Sequence, residues 1–142
     1  MSISKNSPYP KVDHITLTVK NFQKSKLFYT DLFVNYLGGK IEIDDSDLFG
    51  IIFLNGFLFE IREESVEFKD SKFNCYQVGL HHFALELESK EAIDKVCEKL
   101  LELNVEILDK PTFYPEYTQG YYAVYWKDLN GFKMEFMCID KT

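Results

Sequence analysis

The chain repeats itself, and the repeat carries residues able to hold a ligand. Asp13-His14-Ile15-Thr16-Leu17-Thr18-Val19 is followed downstream by Asn55-Gly56 and Glu60. His81-His82-Phe83-Ala84-Leu85-Glu86-Leu87 is followed downstream by Asn130-Gly131 and Glu135. The offset between copies is 68 at the His (82 − 14) and 75 at both the Asn-Gly (130 − 55) and the Glu (135 − 60), so a single insertion of seven residues separates them. Each copy thus has a His at the head of an alternating strand, an Asn-Gly turn and a Glu four residues beyond the Gly. Two His and two Glu in register point to one metal ion held between pseudo-symmetric halves.

The rest of the pattern agrees with two modules. Residues 1–10 are polar with two prolines and read as a lead-in. Val12–Val19 alternates as a strand does. Asn21 is a candidate N-cap for a helix over 22–37, with Phe22, Leu27, Phe28, Leu32 and Phe33 at helical spacing, ended by Gly38-Gly39. A strand near Lys40–Ile43 leads to an acidic loop. Phe49–Leu54 and Phe57–Arg62 flank Asn55-Gly56, the strongest short hairpin signal. After a mixed linker over 63–79 the order restarts. The second copy predicts a strand over 81–87, a cap at Ser89, a helix over 90–103 with Ile93, Val96, Cys97, Leu100 and Leu101 on one stripe, and a strand near Val105–Leu108. A loop over Asp109–Gly120 and strands Tyr121–Trp126 and Phe132–Cys138 complete it. The expected architecture is α+β: one domain over 1–142, with βαβββ modules at 11–63 and 80–139 whose sheets curl into an open half-barrel cleft.

Strand parity sorts the faces. His14, Thr16 and Thr18 oppose Ile15, Leu17 and Val19, and His82, Ala84 and Glu86 oppose Phe83, Leu85 and Leu87. Leu58, Glu60 and Arg62 oppose Phe57, Phe59 and Ile61, and Lys133, Glu135 and Met137 oppose Met134, Phe136 and Cys138. One face is apolar and should pack on the helices, burying Phe59, Ile61, Phe83, Leu85, Leu87, Met134 and Phe136. The other carries all four candidate ligands and is expected to be a solvated cleft, because burying it unpaired costs several kcal/mol. His81 competes with His82, but His82 is the one in register with His14.

Composition removes several classes of function. The formal net charge is −7 with no basic stripe, which argues against nucleic acid. No apolar run approaches a membrane span, and the first ten residues lack the apolar core of a signal peptide. Cys75, Cys97 and Cys138 are odd in number and show no CxxC spacing, as in a reduced, cytoplasmic protein.

Asp13-His14-Ile15-Thr16-Leu17, His82-Phe83-Ala84-Leu85 and the run Tyr121-Tyr122-Ala123-Val124-Tyr125-Trp126-Lys127-Asp128-Leu129-Asn130-Gly131-Phe132-Lys133-Met134-Glu135 resemble the vicinal oxygen chelate superfamily. That superfamily includes glyoxalase I, fosfomycin-resistance proteins, extradiol dioxygenases and methylmalonyl-CoA epimerase. The resemblance covers about residues 11–138, and the third motif is the most specific. Leu129 stands where the family usually has Pro. The resemblance implies paired βαβββ modules, metal ligands at His14, His82 and Glu135, and Glu60 at the variable fourth position. This set is most similar to that of glyoxalase I, although no glutathione-binding signature is matched. The resemblance also implies a homodimer, for which Tyr9, Tyr36, Phe73 and Tyr76 could supply an apolar interface.

Imidazole and carboxylate donors suit zinc, nickel, cobalt, manganese or iron. A small substrate with two adjacent oxygens could chelate such an ion, and a carboxylate, Glu60 or Glu135, could serve as base while an enediolate forms. Tyr114, Tyr117 and Tyr121 are candidates to line the substrate site. Arg62, like Lys133, could meet a substrate carboxylate. The expectation is therefore a metal-dependent lyase or isomerase of the glyoxalase type. The alternatives are an Fe(II) extradiol-type dioxygenase or a non-catalytic small-molecule (drug) binding protein.

Overall fold

Period-two patterning becomes eight strands among the described residues of the computed structural model, which are 8–142. The lead-in expected over 1–10 lies mostly outside the described residues. The chain forms two compact units, Met1–Ser65 and Val66–Thr142. The architecture is α+β, with the same βαβββ order in each unit.

In the first unit, strand β1 (His14–Val19) leads into helix α1 (Phe22–Tyr29), which continues as a π-helical segment, Thr30–Tyr36. Strands β2 (Lys40–Asp44), β3 (Leu48–Ile52) and β4 (Leu58–Glu63) follow. The sheet order is β1-β4-β3-β2, with β1 parallel to β4 and the other pairs antiparallel. The second unit repeats this with β5 (Phe83–Glu86), helix α2 (Lys90–Glu102), β6 (Ile107–Phe113), β7 (Tyr121–Lys127) and β8 (Lys133–Ile139). Its order is β5-β8-β7-β6, again with only the first pair parallel. No helix is long and apolar enough to cross a membrane among the described residues.

Local signals in the chain set the helix starts. The Asn21 side chain accepts the Lys24 N–H at 3.0 Å, and the Ser89 hydroxyl accepts the Ala92 N–H at 3.1 Å. The first core is an aromatic cluster: Tyr29, Phe33 and Phe59 lie with ring centroids 4.7–5.0 Å apart and are all buried. Leu27, expected on this stripe, is 72% exposed, and Ser25 and Tyr29 take the inward positions. In α2, Ile93, Val96, Cys97 and Leu100 are buried, as the stripe predicts, but Leu101 sits just past it and is exposed.

The two turns share one design. Phe53 and Phe57 pair through Phe53 N–H to Phe57 O (3.0 Å), and Asp128 pairs with Phe132 in the same way (3.0 Å). Three residues close each loop, where two were expected at Asn55-Gly56 and five over 127–131: a turn followed by Gly56 (φ +85°) or Gly131 (φ +89°). That left-handed last position is why Gly follows Asn in both copies. Asp128 also accepts the N–H groups of Asn130 (2.8 Å) and Phe132 (2.9 Å), which accounts for a buried acid in the turn.

Two further expectations change. Part of the loop predicted over Asp109–Gly120 is strand, because β6 runs to Phe113 with register shifts on both sides of Asp109. An edge strand tolerates such breaks and also Pro111. Phe59, Ile61, Met134 and Phe136 are fully buried, but Phe83, Leu85 and Leu87 are only half-buried. Phe83 and Leu85 lie on β5, which is an edge strand with a neighbour on one side only.

Candidate metal and substrate site

Pairing register places an equivalent His and Glu in each sheet. Thr16 lies opposite Glu60 across β1 and β4, and Ala84 lies opposite Glu135 across β5 and β8. His14 and His82 each precede that opposed residue by two positions, so each His shares a face with the Glu of its own unit.

In the first unit His14 is half exposed at the head of β1. Its Nδ1 lies 2.8 Å from Asp13 Oδ2. That contact, more than the charge of Glu60, raises the imidazole pKa above its ordinary value against the opposing effect of burial. A carboxylate on Nδ1 fixes ring orientation and leaves Nε2 as the ligand nitrogen. Glu60 is 8% exposed, and the Thr16 hydroxyl donates to its Oε1 at 2.7 Å. On its other flank β3 offers Gly50, which carries no side chain to cover the carboxylate.

In the second unit His82 Nε2 stands 3.1 Å from Glu135 Oε2. His82 Nδ1 faces His81 Nδ1 at 2.7 Å, while His81 itself is exposed and sets its ring against Tyr76. His82, not His81, is thus the imidazole beside Glu135. Glu135 is 2% exposed, and the Tyr121 hydroxyl donates to its Oε1. Where the first unit has Gly50, the second has Tyr125 opposite the carboxylate. The His82 ring meets Tyr125 edge-on at 5.8 Å.

The predicted tyrosines gather around this pair. Tyr114 stacks on Tyr117 at 5.5 Å, and Tyr121 and Tyr125 approach Tyr114 edge-on at 6.5 and 5.7 Å. Burial, then the negative field of Asp109 and its neighbours, pushes Tyr114 up to about 12. Tyr121 and Tyr125 are also raised, first by burial and then by Glu135. These hydroxyls stay protonated at neutral pH and so can donate, as Tyr121 does to Glu135. Arg62 lies in the first unit, exposed near the end of β4, opposite Thr18 and Leu48.

The expected solvated face is thus buried at both carboxylates, and in the second unit aromatic rings supply the cover. Three site residues escaped the sequence reading: Tyr125, Thr16 and the orienting role of Asp13. Parity alone would have put Tyr125 on the face of Tyr121, but only the β7–β8 register sets it opposite Glu135.

Among the described residues no three His, Cys, Asp or Glu side chains form a group able to hold a metal ion. The donors come as one imidazole and one carboxylate per unit. Their chemistry fits a divalent first-row ion. Donors at neighbouring corners of such an ion, each about 2.0–2.2 Å from it, stand about 3 Å apart. The His82–Glu135 spacing of 3.1 Å meets that requirement.

The sequence profile of the Glyoxalase/Bleomycin resistance protein/Dioxygenase superfamily matches residues 11–136. The uncharacterized protein YqjT of Bacillus subtilis (strain 168) is 29% identical over 123 residues, covering 86% of this chain and 94% of its own. A glyoxylase/bleomycin resistance protein/dioxygenase domain from Frankia sp. EAN1pec superposes with a TM-score of 0.75 at 19% identity, covering 92% of this chain and 98% of its own. The fosfomycin resistance protein FosX from Listeria monocytogenes, in complex with Mn(II) and sulfate, superposes with a TM-score of 0.66 at 21% identity, covering 92% and 90%.

Proposed function

Given that this chain belongs to the Glyoxalase/Bleomycin resistance protein/Dioxygenase superfamily, we propose that it is a metal-dependent lyase or isomerase of the glyoxalase type, acting on a small substrate with vicinal oxygens. The observation that carries this reading is the His82 Nε2–Glu135 Oε2 pair, buried at the carboxylate and repeated in register by His14 and Glu60. A divalent ion in a relative of the same fold, the Mn(II) of FosX, supports it.

The ligands we assign are His14, Glu60, His82 and Glu135. When bound, a divalent ion supplies Lewis acidity, which stabilises charge building on a substrate oxygen as a proton leaves the neighbouring carbon. The residues divide the remaining work. Asp13 and His81 orient the two imidazoles through Nδ1. Glu135 is engaged at both oxygens, by Tyr121 and by His82, and is the fixed carboxylate. Among the described residues Glu60 is bonded at Oε1 alone, by Thr16, and keeps Oε2 for proton transfer, so it is the better base. Tyr114, Tyr121 and Tyr125 exclude water and present neutral donors to substrate oxygens, with Tyr117 stacked on Tyr114. Three free thiols, at Cys75, Cys97 and Cys138, support a reducing, cytoplasmic setting.

Elemental analysis of protein purified without chelator tests the proposal. The expected result is stoichiometric zinc, nickel, cobalt, manganese or iron, lost in His82→Ala and Glu60→Gln. A metal-free protein whose melting temperature none of these ions raises would overturn it.

A further inference from the structure

Two lysines stand directly opposite each other across β7 and β8, Lys127 against Lys133. Like charges in that position destabilise a sheet, so the pair calls for a reason. Lys133 forms no ion pair among the described residues; its ammonium lies over the Tyr125 ring, 4.8 Å from the centroid. Lys127 has one distant acidic partner, Glu106 at 3.9 Å. Both lysines line a cavity of about 360 Å³ in the second unit, walled by Phe73, Asn74 and Tyr76 and containing one acid, Asp109. The wall is ordered by an internal turn. Asn74 spends its side-chain oxygen on the Tyr76 N–H (2.9 Å), which leaves its amide NH₂ as a donor, and Phe73 packs on Phe132 at 4.5 Å.

Parity puts Lys133 on the face of Glu135, two residues along β8 and so about 7 Å away along the strand. Tyr125 joins the two places: its ring carries the Lys133 ammonium on one side and it stands opposite Glu135. The cavity wall sets two lysines against one acid, Asp109, in a chain whose net charge is −7. We propose that this cavity is a subsite for an oxyanion, a carboxylate or phosphate carried by the substrate, gripped by Lys133 and Lys127 while the reacting oxygens sit beside Glu135. The proposal rests on the assignment of the Glu135 face as the reaction site. The cavity volume suits a small acid.

The test is binding of inorganic phosphate to the chelator-treated full chain, followed by titration calorimetry. Wild type should bind at about 10 mM phosphate or below, more weakly as salt rises. Lys133→Gln and Lys127→Gln should each weaken binding about tenfold, Lys133→Arg should restore most of it, and Lys95→Gln on the exposed side of α2 should leave it unchanged. No binding by wild type, equal binding by Lys133→Gln, or binding lost equally in Lys95→Gln each overturns the subsite. The outcomes separate the two proposals: Lys133-dependent phosphate binding in a protein that never takes up metal keeps the subsite and rejects the metal chemistry. Stoichiometric metal without phosphate binding does the reverse.

Discussion

Replacing Phe136 by Ala tests the face assignment on which the candidate site depends. Phe136 is 1% exposed, lies between Leu85 and Val124 in the sheet, and stacks its ring on Trp126 at 5.7 Å with an interplanar angle of 17°. Losing the buried ring forfeits about 1.5–3 kcal/mol of transfer free energy. If half of a roughly 100 Å³ void persists, at about 24 cal/mol per Å³ it adds about 1.2 kcal/mol. The aromatic pair contributes about 0.5–1.5 kcal/mol more. The expected loss is therefore about 3–6 kcal/mol, a large part of a typical domain's stability. Trp126 is the one tryptophan of the chain and lies in the same unit, so its fluorescence during urea unfolding reports on the affected core. Met137→Ala, one residue on and facing the other way, is half-buried and should cost clearly less. A loss below about 1 kcal/mol at Phe136, or an equal loss at both positions, would mean that the faces are inverted. Glu135 would then point toward α2 and the site assignment would fall with it.

Two other expectations follow from the same geometry. Tyr114, Tyr121, Tyr122 and Tyr125 have folded pKa values raised above the ordinary tyrosine value, chiefly by burial. Folding therefore keeps these phenols neutral: stability is intact below about pH 10 and falls as pH rises through the folded values. Tyrosinate absorbance should show these four phenols ionising late, together with unfolding; their ionisation near the ordinary value in the folded protein would refute the burial account. We also expect a homodimer, with the exposed side chains of Tyr36 and Tyr76 as candidate interface groups. Light scattering at moderate salt should give twice 16.7 kDa, and a monomer mass at tens of micromolar protein would reject it.

Much of this protein is written locally. The repeat of His14, Asn55-Gly56 and Glu60 in His82, Asn130-Gly131 and Glu135 determines two like modules by itself. The caps at Asn21 and Ser89 and the parity that separates Glu135 from Phe136 need only a few neighbouring residues, because helix starts and strand faces are set over two to four positions. Burial is a different quantity, since it depends on what the fold brings against a face. Glu60 and Glu135 read as solvated and are buried. Glu135 lies opposite Tyr125 and accepts the Tyr121 hydroxyl, and both placements depend on how β7 and β8 pair. Phe83 and Leu85 read as core and are half-buried, because only the sheet order makes β5 an edge. Leu27 and Leu101 read as stripe residues and face outward, where the packing of each helix, not its periodicity, decides which residues are covered. Lys127 and Lys133 are unremarkable in the chain, separated by a turn. They become a positive pair in one cavity only when that turn closes in three residues and sets them across from each other.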